Sequence, residues 1–135
     1  MNRREMLLGT ALALVATKAN ADAPKANGPA KMDLANAASR CAAAASACLS
    51  HCLSMFASGD SSMSACARAV SDLGPTTQAL AALAADGSRY TATLGSLVAD
   101  IAKDCKAECD KHATMAPCKA CSDSCAALLA VLAKK

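Results

Sequence analysis

DLANAASRCAAAASACLSHCLSMFA, Asp33 to Ala57, runs for twenty-five residues without a glycine or a proline. Alanine, the strongest helix former, fills much of it, and its short side chain lets neighbouring helices approach closely. At 100° per residue, Cys41, Cys48 and Cys52 fall within about 40° of one another, with Leu34 and Met55 on the same stripe. The stretch therefore predicts a long helix whose inward face carries thiols. It stops at SGDSS, where Gly59 punctuates and Asp60 or Ser61 is suited to cap a second helix.

The rest of the chain repeats this pattern. A second helix is expected over about 62–85, with LGP at Leu73–Pro75 kinking it. Cys66, Val70, Leu73, Thr77 and Leu80 keep one phase across the proline, which favours a single kinked helix over two. After DGS at 86–88, a third helix over about 89–111 aligns Leu94, Val98, Ile101, Cys105 and Cys109. A fourth over about 115–133 aligns Cys118, Cys121, Cys125, Leu129 and Leu132, with Pro117 acceptable in its first turn. The chain has 135 residues, 54% of them apolar but only 1% aromatic, so strand formers are scarce. Four helices with short connections give an all-α domain, an antiparallel up-down-up-down four-helix bundle over residues 33–135.

Residues 1–21 stand apart from that domain. Arg3 and Arg4 precede an apolar run too short to span a bilayer, and Ala19-Asn20-Ala21 suits cleavage. Adjacent arginines before EMLLG resemble a twin-arginine signal, which exports folded proteins. It would be removed, leaving a periplasmic protein with no membrane span, and residues 22–32 read as a flexible lead-in. The leader holds three basic residues and one acidic, so its loss lowers the net charge from +3 to about +1. No basic patch interleaved with aromatics remains, which argues against a nucleic-acid partner.

The nine cysteines are not spread evenly. In an up-down-up-down bundle the end of helix 1, the start of helix 2, the end of helix 3 and the start of helix 4 coincide. Eight thiols then lie within roughly 20 Å of the 1–2 and 3–4 loops, and Cys41 sits deeper. Leu80, Leu83, Leu94, Leu97, Val98, Leu128 and Leu132 are expected to fill the other half.

Several chemistries use buried thiols. Cysteine can be a plain small hydrophobe, but nine gathered at one end exceed that use. A disulfide scaffold would leave one thiol over. Cysteines four apart on one helix, as in Cys48/Cys52, Cys105/Cys109 and Cys121/Cys125, have nearly parallel side chains and a Cα separation near the bridging limit. Bridges between helices stay open, so a disulfide-stabilised exported module with a structural or partner-binding role is the alternative function. CKAC as a redox pair lacks the preceding strand. One zinc site needs four ligands, and no ferredoxin spacing is present. Thiolates with thioether and imidazole at the margin form the soft donor set that favours Cu(I). No nucleophile–base pair suggests an enzyme.

Three CxxxC pairs (CLSHC, CKAEC and CSDSC), the segment HATMAPCKACSDSC and the twin-arginine-like leader together resemble the copper storage proteins. These are four-helix bundles whose interior cysteines hold many Cu(I) ions. The resemblance covers about Asp33 to the C-terminus and is to the exported branch. It implies a Cu(I) cargo on Cys41, Cys48, Cys52, Cys66, Cys105, Cys109, Cys118, Cys121 and Cys125. It also implies His and Met ligands at the bundle mouth, where His51, Met55 and Met63 take the corresponding positions. His112 and Met115 flank the same mouth and are not counted among the ligands. Relatives line more of the bundle with cysteine than this chain does. A copper-requiring recipient protein would be the onward partner, and a homo-oligomer is compatible with the reading.

Overall fold

The computed structural model describes residues 29–134, with side chains from Asp33 onward. The expected leader and the first part of the lead-in lie outside the described residues. Four helices follow one another: α1 (Pro29–Ala57), α2 (Ser64–Asp86), α3 (Thr91–Asp110) and α4 (Ala116–Leu132). α1 begins ahead of Asp33, so the last residues read as lead-in are helical.

Two of the three turns are built by glycine. Gly59 (φ 85°) and Gly87 (φ 66°) adopt the left-handed conformation just past α1 and α2. After α1, the Gly59 N–H donates to the Phe56 carbonyl (2.9 Å) and the Asp60 N–H to the Met55 carbonyl (3.0 Å). After α2, Gly87 and Ser88 repeat the pair on Ala84 and Leu83. Both are Schellman closures, which satisfy the last carbonyls and need a residue free to take positive φ.

The start of α2 differs from expectation. Neither Asp60 nor Ser61 caps it. Met63 occupies the cap position without a side-chain hydrogen bond, and its side chain is fully buried. Burial of that thioether stem fixes where the helix begins, and Asp60 is left to accept the Ser62 N–H (2.9 Å) inside the preceding turn. α2 then runs as one helix through Pro75. The carbonyl that Pro75 cannot serve belongs to Ser71, an exposed residue on the outer face of α2. The hydroxyls of Thr76 and Thr77 donate to the carbonyls of Asp72 and Leu73, both at 2.7 Å. Thr77 is thereby satisfied although it is fully buried. Pro117 lies in the first turn of α4, as its missing N–H allows.

α1 packs against α2 and α4, and α3 packs against the same two helices. Among the described residues the backbones of diagonal helices do not approach each other, so the helices form a square whose neighbours are antiparallel and whose diagonals meet only through side chains in the core. The predicted α2 stripe is the buried one: Cys66, Val70, Leu73, Thr77 and Leu80 are all sealed. On α3 the buried line is Gly95, Val98, Ala102, Cys105 and Cys109. Leu94 and Ile101 fall to its flank, and Leu97, expected in the core, is 54% exposed. The small residues explain this rotation. A Cβ at Gly95 would come within 3.2 Å of Leu132 Cδ2, so the helices meet over the smallest side chains and push the larger ones outward. Leu83 and Leu132 are likewise only half-buried. No described helix is long and apolar enough to cross a membrane.

Candidate metal centre

The nine cysteines are all completely buried, and all nine are free thiols. They come from every helix: Cys41, Cys48 and Cys52 from α1, Cys66 from α2, Cys105 and Cys109 from α3, and Cys118, Cys121 and Cys125 from α4. Each lies on the apolar stripe that its helix must bury, so the same hydrophobic burial that closes the bundle gathers the thiols.

The sulfurs form a connected file. Cys48 Sγ lies 3.6 Å from Cys66 Sγ and 4.0 Å from Cys118 Sγ. Cys66 continues to Cys109 at 3.8 Å, Cys109 to Cys105 at 4.0 Å, and Cys105 to Cys121 at 4.0 Å. Cys41 meets Cys125 at 4.0 Å deeper in the bundle. Within this file two triads close, Cys48/Cys66/Cys109 and Cys105/Cys121/Cys125, whose sulfurs all lie within 4.8 Å of one another. Cys52, also completely buried, lies one turn beyond Cys48 on the same face of α1. These separations are far longer than the ~2.05 Å of a disulfide, and they suit sulfurs sharing an ion placed between them.

Electrostatics hold most of this file neutral. Burial pushes the Cys66 thiol up to about 12 and raises Cys118 as well. Cys109 is raised by its neighbours Cys105, Cys121 and Cys48, and Cys125 by Cys105, Cys121 and Cys41. Cys48 is also raised: Cys109 pulls it down, but Cys121 and burial outweigh that pull. Cys121 goes the other way, because Cys105, Cys109, Cys125 and Cys48 can all donate to its sulfur. One thiolate surrounded by donors is tolerable, and a second beside it is not. Among the described residues no charged side chain is buried to balance more. A bound cation would supply that balance, displacing protons as it enters.

At the mouth, His51 Nε2 stands 3.1 Å from Met115 Sδ, joining the last turns of α1 to the α3–α4 loop. Met55 and Met115 pack against the cysteine core from its edge, while Met63 lies inside it. The α3–α4 corner is tied by Ser122 Oγ, which donates to the Asp110 carboxylate, and by Lys106 to Asp110 at 2.7 Å. Lys106 and then Ser122 hold that carboxyl below its usual range. His112 is half-buried, and its backbone N–H donates to the Cys109 carbonyl (2.9 Å). Met115, placed at the mouth by the sequence but not assigned as a ligand, is the residue that meets His51. Its spacing of three from Cys118 puts it one turn outside the α4 cysteine stripe, and that was the available signal.

No curated protein matches the chain in comparison. A family model described as copper storage protein matches residues 29–131, spanning nearly all of the four helices that carry the sulfur file. With a buried thiol core compatible with Cu(I), this chain belongs to the copper storage protein family.

Proposed function

We propose that this bundle stores several Cu(I) ions on its nine core thiolates and does no catalysis. The observation that supports this reading is the continuity of the sulfur file, from Cys118 and Cys48 near the mouth to the Cys105/Cys121/Cys125 triad. Bridging thiolates let each sulfur serve two ions, so a file holds more metal than separate closed sites would. If each copper takes two thiolates and each thiolate bridges two coppers, capacity is about nine ions. Thioether and imidazole hold Cu(I) less firmly than bridging thiolates. His51 with Met115, and Met55 beside them, would therefore act as transfer ligands through which copper enters and leaves. Met63, inside the core, is better suited to bind than to pass copper on.

The leader-like residues 1–21 support export in the folded state through a twin-arginine route to the periplasm. Folding in a reducing cytosol would bury the thiols before they meet oxidant. A copper-requiring protein would then be the recipient. Anaerobic Cu(I) titration of the reduced protein tests the reading. Saturation near nine ions per chain supports storage, and saturation at one or two rejects it for a single structural site.

A further inference from the structure

Each of the two triads brings three thiols to one point. In the first they come from α1, α2 and α3, and in the second from α3 and α4. Copper shared between pairs of bridging thiolates does not require threefold sites. Three thiolates on one isolated Cu(I) would also carry two negative charges into a core with no buried charged residue among those described. A trivalent centre on three thiolates is neutral, and burying it avoids the cost of an uncompensated charge.

We propose that each triad also binds trivalent arsenic, taken up as arsenous acid. The reaction is a condensation. Three As–O bonds break and three As–S bonds form, and each thiol proton leaves with a departing hydroxide as water. One As(OH)3 and three thiols give one As(S)3 unit and three waters. No electron is transferred, so neither an oxidant nor a reductant is needed. Arsenous acid is uncharged near neutral pH and reaches buried thiols without the desolvation cost of an ion.

The geometry is close to what the product needs. With bonds near the ~2.3 Å of a zinc thiolate and angles a little over a right angle, a three-sulfur pyramid has edges of about 3.4 Å. In the first triad Cys48–Cys66 is 3.6 Å and Cys66–Cys109 is 3.8 Å. In the second, Cys105–Cys121 is 4.0 Å, and every remaining edge is within 4.8 Å. The first triad needs the smaller contraction of these edges and lies nearer the mouth, so it fills first. Cys41, Cys52 and Cys118 belong to neither triad.

The test uses reduced, metal-free protein incubated anaerobically with sodium arsenite, desalted and weighed by native mass spectrometry. Two arsenic atoms per chain are expected, each arriving with loss of three hydrogens and with new near-ultraviolet absorbance from As–S bonds. Cys66→Ser and Cys121→Ser should each retain one arsenic, and the double variant none. If a variant fails to fold by circular dichroism, wild-type protein carries the test alone. Arsenite preloading must then cut Cu(I) uptake to what Cys41, Cys52 and Cys118 can hold. Three results each overturn the proposal: no retained arsenic on folded wild-type protein, loss of only two hydrogens per arsenic, or counts indifferent to both serine substitutions. A parallel Cu(I) titration of the untreated sample reports on storage by itself, so failure to bind arsenic and failure to store copper are read separately.

Discussion

Cys48 Sγ and Cys66 Sγ stand 3.6 Å apart across the α1–α2 seam, closer than the other cysteine sulfur contacts that link the file. Cys48 also reaches Cys118, and Cys66 reaches Cys109, so this pair connects sulfurs from all four helices. Removing either thiol should remove bridges as well as a ligand. Cys48→Ala is expected to lower copper capacity by one to two ions, and Cys48→Ala/Cys66→Ala by less than the sum of the two single losses, because the ion the pair shares is lost only once. Each substitution leaves a cavity smaller than a lost leucine would, so metal-free stability should fall by only about 1 kcal/mol per site. Metal-to-protein ratio at saturation and urea denaturation of the same samples check both halves.

The pairing of His51 with Met115 makes a rate prediction. His51→Ala/Met115→Ala should slow copper removal by a chelator several-fold while leaving capacity almost unchanged, because neither side chain belongs to the thiol file. Stopped-flow transfer rates alongside stoichiometry separate the two effects. Wild-type rates in the double variant would make the pair ordinary edge packing. Met63→Ala is a poor probe of the same idea. Met63 is fully buried, and its truncation should cost roughly 2–5 kcal/mol whatever its role in transfer.

Much of this was legible in the sequence because one force decides both fold and site. The stripe through Cys66, Val70, Leu73, Thr77 and Leu80 follows from helical period alone, and all five are buried. The cysteines continue such stripes, so burying the core also buries the ligands. Leu97 was misplaced because period fixes a stripe's direction only to within a residue's rotation. Gly95 and Ala102 centre the α3 contact by being small, a property that a hydrophobic pattern does not weigh. The contact of Met115 with His51 was not legible for another reason: helical period sets Met115 one turn before Cys118, but only the return of the α3–α4 loop over α1 brings it to His51.

Proton occupancy of the file gives a pH dependence with a definite sign. Cys66 rises from an ordinary 9.0 to about 12, and Cys48, Cys109, Cys118 and Cys125 are raised as well, against Cys121 alone lowered. An unfolded chain releases these protons near its ordinary thiol value, whereas the folded bundle retains them. The stability they contribute is therefore fully present below about pH 9 and is lost as pH rises toward about 12. The denaturation midpoint of the metal-free protein should fall between about pH 8 and about pH 10. The copper-loaded protein, its thiols already deprotonated on metal, should show almost no slope over that range. Below pH 9, copper affinity should instead increase with pH, by about tenfold per unit for each proton displaced.

The half of the core without cysteine allows stability and capacity to be changed separately. Leu80 and Leu128 are completely buried, and Leu80 Cδ1 would lie 4.0 Å from a Cβ at Gly95, far from the mouth. Leu80→Ala should cost about 2–5 kcal/mol, because the square of helices cannot collapse fully around the lost volume. It should leave the metal-to-protein ratio unchanged, since no sulfur depends on that layer for its position. Denaturation of metal-free protein and Cu(I) titration at a temperature where the variant is folded measure the two quantities. Copper should also recover much of the lost stability, because an ion bound only by the folded state shifts unfolding by mass action. If Leu80→Ala instead lowers capacity as strongly as Cys48→Ala does, the apolar half is positioning the thiols and the two halves of the bundle are not independent.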